Sequence, residues 1–452
     1  MILFGALFLF ALIILFAPAH KEDQLYWNAV ALGGLMVVFW IFEVIPIYVT
    51  ALLPMVLAVP LGILTTDDLA AQYGNRMVFL FFGGFVLSLA LEKWDVHKRI
   101  AEMILRLVGT SPARLILGFL FSTAILSMWI SNTATALMML PMATAVIGSA
   151  EIERKSKFPL YLLLAVAYGA SIGGMATIVG SPPNTAMAGI LESSYGITVS
   201  FYDWMKIGLP LSVIMLLVIY GFFLFLLGKE RNKKLHIEHP ERKKWTRQQK
   251  SVLILFLMIV FLWSFRDLIM SYTGINYKDE VPAVLGAILL FIIPSEKGKY
   301  LLDWKDTNRL PWGVLLLFGG GLAMAKMLEV NGVVNDLSSI FDKFGNIPVF
   351  VILLVLVGIA IYATEVMSNL ALVTVFVPVV ASFALNSSYS VLQLCIPVTL
   401  AASCAFMLPV STPPNAIVFS SGKVTVSQMA RVGFVLNLLG VVIVTLFSWI
   451  FL

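Results

Sequence analysis

Apolar runs long enough to cross a bilayer recur from one end of this chain to the other, and two of them are interrupted by the same polar punctuation, "GSPPNT" at Gly180 to Thr185 and "STPPNA" at Ser411 to Ala416. A helix needs about 20 apolar residues to cross roughly 30 Å of hydrocarbon. With 60% hydrophobic and 12% charged residues in 452, the chain cannot hide its apolar surface inside one water-soluble globule. The fold class expected is therefore an all-α integral membrane protein. Spans are expected at 1–17, 26–42, 46–64, 76–92, 158–194, 204–228, 250–272, 281–295, 311–328, 390–421 and 430–452, about 11 transmembrane helices. The first of these precedes Ala17-Pro18-Ala19, which resembles a signal-peptidase site, but no basic segment comes before it, so it reads as a span.

Two apolar stretches remain, about 112–150 and 346–386. Each is long enough for two helices and carries a polar cluster in its middle, "SMWISNTATALMMLP" and "ATEVMSNLALVTVFVP". Each reads as a re-entrant helical hairpin with its polar residues at the tip.

Charge orients the chain. The net charge of +5 would suggest nucleic acid in a soluble protein, but here the basic residues gather in loops, so nucleic-acid binding is excluded. Gly228 to Lys250 holds nine Lys and Arg against three Glu, which makes it cytoplasmic. Lys93 to Arg114, Arg154 to Lys157 and Lys297 to Arg309 then fall inside as well. Thr65 to Asn75, Gly196 to Asp203 and Asn386 to Ser390 fall outside, with the N-terminus cytoplasmic and the C-terminus outside. A multi-pass protein of the inner (cytoplasmic) membrane is expected.

The chain also repeats itself. Glu43-Val44-Ile45-Pro46 echoes Glu280-Val281-Pro282, "LFFGGFVLSLALEKWDV" echoes "LLFGGGLAMAKMLEVNGV", Ser131-Asn132 echoes Ser368-Asn369, and Pro182-Pro183-Asn184 echoes Pro413-Pro414-Asn415, all in order at a nearly constant offset. Five spans and a hairpin per half force the second copy to enter the membrane from the other side. Two inverted-topology repeats of this kind are typical of secondary transporters, which bind at interrupted helices near the midplane. The expected division is an N-terminal helix and linker at 1–25, a first repeat at 26–228, a basic loop at 229–250 and a second repeat at 251–452.

The punctuation has a physical meaning. Unpaired backbone at membrane depth is tolerated only inside protein or along a polar cavity. Pro-Pro-Asn cannot continue a helix but starts one well, so the fifth and tenth spans are expected to break at Gly180-Ser181 and Ser411-Thr412. The carbonyls before each break suit a cation and the N–H groups after it suit an anion. At the first tip, Ser131, Asn132 and Thr133 are helix-capping types, and Ser127 and Thr364 lie four residues before Ser131 and Ser368, on the same face. Hydroxyls, amide oxygens and carbonyls around one point form a neutral oxygen cage suited to Na⁺. Without an obligate carboxylate it suits Ca²⁺ or Mg²⁺ poorly.

"SNTATALMMLP", "GSPPNT", "SNLALVTVFVP" and "ASCAFMLPVSTPPNAIVFSSG" resemble the paired signatures of the divalent anion/sodium symporter family, the INDY-type di- and tricarboxylate transporters, over essentially the whole chain. The resemblance implies a homodimer, with scaffold helices at 26–110 and 251–345 and mobile transport parts at 111–228 and 346–452, working as an elevator. It places one sodium site on Ser127, Ser131, Asn132 and Gly180, and a second on Thr364, Ser368, Asn369 and Ser411. It also places substrate on Ser131, Asn132, Thr133, Ser368 and Asn369, with help from Pro183, Asn184, Pro414 and Asn415. The family's second tip usually carries threonine where this chain has Leu370, so one hydroxyl is missing from the substrate site.

Other groups read more plainly. Glu43 and Lys326 are expected to snorkel at interfaces, and Glu365 either supports the second cage or joins a scaffold ion pair. Cys395 and Cys404 pack in an apolar segment, the glycines of Phe81 to Gly84 and Phe318 to Gly321 serve close helix contact, and His20, His97, His236 and His239 are expected on solvated faces. Three functions compete: a sodium-coupled symporter of C4 dicarboxylates, a sodium-independent exchanger of the same fold, and a membrane enzyme or channel. No nucleophile-base pair, metal motif or phosphate loop supports the third, so the chain is not expected to be an enzyme.

Overall fold

A computed structural model describes residues 2–16, 21–149, 156–233, 235, 244–295, 299–333, 336, 347–385, 387 and 389–452. His20, His236, His239 and part of the basic loop, Lys234, Arg242 and Lys243 included, lie outside the described residues. The described chain is helical, with a single isolated bridge between Pro294 and Tyr300 as its extended pairing.

The helices, in chain order, are α1 (Ile2–Leu15), α2 (Lys21–Phe42), α3 (Ile47–Thr50), α4 (Leu53–Leu57), α5 (Thr66–Tyr73), α6 (Arg76–Lys93), α7 (Val96–Val108), α8 (Pro112–Ser127), α9 (Asn132–Ser149), α10 (Phe158–Met175), α11 (Pro182–Tyr195) and α12 (Phe201–Leu227). There follow α13 (Arg247–Ser264), α14 (Arg266–Thr273), α15 (Glu280–Ile292), α16 (Trp312–Val330), α17 (Val349–Ala363), α18 (Asn369–Leu385), α19 (Val391–Ala401), α20 (Pro413–Ser420) and α21 (Val426–Phe451). Among the described residues seven helical segments are long and apolar enough to cross a membrane, and seven more apolar segments are shorter.

Both interrupted spans are broken, over longer stretches than the sequence suggests. α10 stops at Met175 and α11 starts at Pro182, while α19 stops at Ala401 and α20 starts at Pro413. Pro sits in the first turn of each restarting helix, where its missing N–H is no loss. Two further expectations need correction. The span at 46–64 divides into the short helices α3 and α4, because Pro54 starts a new turn after the bend at Ala51–Leu52. The span at 250–272 divides at Phe265 into α13 and α14. Part of the loop at 93–114 is helical: α7 is amphipathic, and its charges concealed it as a loop. His97 on α7 is buried rather than solvated, its Nδ1 2.8 Å from the Leu91 carbonyl at the end of α6.

Helices α8 and α9, and helices α17 and α18, form two pairs, each joined by a tight turn at a Ser-Asn. Packing between the halves is reciprocal. α11 lies on α18, and α20 lies on α9 and α10; α6 packs on α15, and α16 packs on α3. Glycine permits the closest of these approaches. A Cβ on Gly83 would meet the Ala283 backbone at 2.5 Å, and one on Gly320 would strike the Ala51 carbonyl. The glycine-rich segments thus serve close packing, as their sequence suggests. Cys395 and Cys404 are free and fully buried.

Candidate functional site

Where the two tips meet the two breaks, the chain encloses a cavity of about 990 Å³. Ser131, Asn132 and Thr133 line it from the first tip, and Ser368, Asn369 and Leu370 from the second. Gly180, Pro183, Ser411 and Pro413 add the two breaks. α6 contributes from Phe81, in its middle, to Glu92, in its last turn, and its Arg76 end contributes nothing. The cavity therefore extends toward the Lys93 end of α6, and Glu43, Glu92 and Arg309 line it as well. These three are the charged residues of the wall, and neither tip carries Lys or Arg. Glu43 takes a left-handed conformation, φ 45°, as the chain leaves α2.

Behind each tip lies the same small construction. Ser127, fully buried at the end of α8, has its Oγ 2.6 Å from Asn132 Oδ1 and 2.7 Å from the Ala170 carbonyl. Thr364, equally buried, has its Oγ1 2.6 Å from Asn369 Oδ1 and 2.8 Å from the Ala402 carbonyl. One hydroxyl proton cannot serve two acceptors, so each cluster of three oxygens has more lone pairs than donors. A small monovalent cation supplies what is missing, and neutral oxygen ligands suit Na⁺. The amide nitrogens of Asn132 and Asn369 have no partner among the described residues. Each asparagine thus points its oxygen at the buried cluster while the residue itself lines the cavity. Ser131 Oγ accepts the Ala134 N–H at 3.2 Å, the cap expected of it.

The break residues take different places from those the resemblance implies. Asn184 and Asn415, both fully buried, do not face the cavity. Asn184 Nδ2 donates to the Gly174 and Thr177 carbonyls at 2.9 and 2.8 Å. Asn415 Nδ2 donates to the Ala405 and Leu408 carbonyls, each at 3.1 Å, and to Ser411 Oγ. These side chains staple the unwound backbone, because carbonyls there have lost their helical partners. Their neighbours Pro183 and Pro414 part company: Pro183 lines the cavity, while Pro414 is buried behind Pro413. Ser411 Oγ donates to the Leu408 carbonyl at 2.7 Å and so belongs to the staple rather than to the Thr364 cluster. Gly180 lies among oxygens: a Cβ there would meet the Gly174 carbonyl at 2.7 Å and the Met128 carbonyl at 3.0 Å.

Glu365 is a buried carboxylate in no ion pair among the described residues. It accepts the N–H groups of Phe406 and Met407 at Oε1, 2.8 and 2.9 Å, and that of Leu408 at Oε2, 3.0 Å, while Asn437 Nδ2 donates to Oε1 at 2.8 Å. It holds the second break open from behind, directly after Thr364. Met128 occupies the matching position directly after Ser127, where Thr177 Oγ1 instead donates to the Met128 carbonyl at 2.6 Å. Lys326 pairs with Glu329 at 3.4 Å, one turn along α16.

Sequence reasoning did not find the Ala170 and Ala402 carbonyls, since a backbone oxygen has no side-chain signature. It also missed Gly174, whose missing side chain leaves room for the Asn132 amide; a Cβ there would come within 2.5 Å of Oδ1. At the far end of α6, Arg76 Nε donates to Glu192 Oε1 at 2.6 Å and its Nη1 to Glu280 Oε2 at 3.1 Å, with Lys278 3.7 Å from Glu192. This cluster ties α11 to α6 and α15. The ionisable groups were visible in sequence, but the contact between distant elements was not.

Broken helices facing a cavity that the tips of two helix pairs also line are the arrangement of a membrane transporter. The chain superimposes on the YdaH transporter of Alcanivorax borkumensis with a TM-score of 0.62 at 12% identity, covering 96% of this chain and 98% of that one. MtrF of Neisseria gonorrhoeae, described among antimetabolite efflux pumps, matches at 0.58 and 11%, covering 86% of this chain and 83% of that one. At such identities the likeness is one of fold. The sequence is more specific: residues 2–452 match the family described as the sodium:sulfate symporter transmembrane region, and the chain belongs to that family. Among its relatives are two proteins named sodium-dependent dicarboxylate transporter SdcS. That of Staphylococcus saprophyticus is 38% identical, over 98% of this chain and 89% of its own length. That of Staphylococcus aureus strain USA300 is 37% identical, over 97% and 88%.

Proposed function

We propose that this chain is a sodium-coupled symporter of C4 dicarboxylates such as succinate, fumarate and malate. The observation that carries the reading is the double placement of Asn132 and Asn369, whose oxygens complete buried oxygen clusters while both residues line one shared cavity. A Na⁺ held by Ser127, Asn132 and the Ala170 carbonyl draws the amide oxygen inward and polarises the amide. The amide N–H groups then bind a carboxylate more tightly. Thr364, Asn369 and the Ala402 carbonyl do the same at the other end. With no Lys or Arg at either tip, the cations and the helix N-termini supply the counter-charge. Cation and anion therefore raise each other's affinity by the same factor.

The reading includes an arrangement in the membrane. The two helix pairs are re-entrant hairpins, the halves are inverted repeats, and the N-terminus lies in the cytoplasm of a cell whose inner membrane the chain spans. Reciprocal packing of α11 on α18 and α20 on α9 supports the repeat. With the basic loops inside, the end of the cavity at Glu92 and Arg309 faces the cytoplasm. The hairpins and broken helices (111–228 and 346–452) move as a transport unit against a scaffold (26–110 and 251–345) within a homodimer. The Arg76, Glu192 and Glu280 cluster then joins the moving α11 to the scaffold on the outer side. Uptake of labelled succinate into proteoliposomes, with Na⁺ replaced by K⁺ or choline, tests the core of the proposal. Uptake that ignores the replacement refutes it and leaves a sodium-independent exchanger.

A further inference from the structure

The two ends of the cavity offer different chemistry. At the first end Thr133 and Ser181 line the wall, and neither hydroxyl has a partner among the described residues; Ser181 sits at the N-cap of α11 without capping it. At the second end Leu370 stands in the place of Thr133. Thr412 stands in the place of Ser181, with its Oγ1 turned back to accept the Asn415 N–H at 3.3 Å. Val366 and Val410, 69% and 83% exposed, add further apolar surface to the same part of the wall. Asn369 and Ser368 remain there for a carboxylate, while the hydroxyls of Ser411 and Thr412 are engaged with the Leu408 carbonyl and with Asn415.

We infer that this asymmetry sets which C4 dicarboxylates are carried: at most one interior carbon is hydroxylated, and that hydroxyl faces Thr133 and Ser181. A ligand hydroxylated on both interior carbons must press one hydroxyl against Leu370, Val366 and Val410. There it gives up water and gains no partner. An apolar wall rejects an added hydroxyl by roughly ten- to a hundredfold. The inference rests on the dicarboxylate reading of the same cavity and names its specificity-determining residue, Leu370.

The test is competition against sodium-driven uptake of labelled succinate by unlabelled succinate, both enantiomers of malate and all stereoisomers of tartrate. The better malate should compete within about threefold of succinate, and the best tartrate about tenfold or more weakly than that malate. Leu370→Thr should narrow the gap between tartrate and malate, and Leu370→Met should preserve it. Thr133→Val should bring malate down toward tartrate while sparing succinate more. A tartrate that competes within threefold of malate in the unaltered protein overturns the inference, whether or not any variant folds. So does a Leu370→Thr protein in which all competitors change alike. Absence of any sodium-dependent succinate uptake would instead overturn the functional reading itself.

Discussion

In the proposed elevator, taken as open to the cytoplasm, Glu192 is the point at which the moving transport unit is fastened to its frame. Arg76 meets it through two guanidinium nitrogens and meets Glu280 through a third, and the three side chains are 18–20% exposed. Glu192→Gln keeps the shape and removes the charge. A charge-assisted contact is worth about 1.5–3 kcal/mol, and partial exposure to water and salt trims this to about 1–2 kcal/mol. Since about 1.4 kcal/mol is tenfold in an equilibrium, the cavity should leave its cytoplasm-facing arrangement roughly tenfold more often. A cysteine replacing Ala134, in the cavity wall, reports this through the rate of labelling from the cytoplasmic side by a membrane-impermeant thiol reagent. The native Cys395 and Cys404 are fully buried and do not compete. Labelling should slow for Glu192→Gln and for Arg76→Gln by similar factors, and the double variant should be no slower than either alone. Equal labelling rates in all four proteins would refute the reasoning. So would a fall in thermal stability with no change in labelling, because the cluster would then stabilise both arrangements alike.

Other substitutions probe the interior. Ser127→Ala and Thr364→Ala each remove one oxygen from a different cluster and should raise the sodium concentration for half-maximal uptake by about tenfold, whereas Thr364→Ser should stay near the parent protein. Glu365→Gln turns an amide NH₂ toward backbone donors that now share a carboxylate, and should lower the detergent melting temperature by several degrees, on the order of 3 kcal/mol, while weakening sodium dependence through the Thr364 cluster. Gly433→Ala should be destabilising by melting, since its Cβ would strike the Phe406 carbonyl, while Gly358→Ala, with open space around it, should be neutral.

How much of this was legible beforehand depends on whether the signal was chemical or geometric. Pro182-Pro183 and Pro413-Pro414 announced where helices restart, because proline's missing N–H has one good helical address. They did not announce where the preceding helices stop, which is set by Asn184 and Asn415 reaching back to carbonyls up to ten residues earlier. Ser127 and Thr364 were legible as hydroxyls one turn before a Ser-Asn, and both stand where that spacing puts them. The roles expected of Asn184, Asn415 and Ser411 came from resemblance and not from the residues themselves, and burial assigns those side chains to the backbone. Glu365 was ambiguous in sequence because a buried carboxylate can be matched by a cation or by several N–H groups. Only the fold, which brings Phe406 to Leu408 beneath the second tip, decides for the N–H groups.

The neutrality of the two tips has an electrical consequence. A fixed cation at the tips would have to return across the membrane when the site is empty, whereas here neither tip carries one. Over a full cycle the protein's own charges, the buried Glu365 included, go and come back, so the net charge that crosses the field is that of the cargo alone. Two monovalent cations with a dianion cancel, and uptake would ignore the membrane potential. Each further cation would harvest about 2.3 kcal/mol per 100 mV, so the voltage dependence of uptake counts the cations that travel with each substrate.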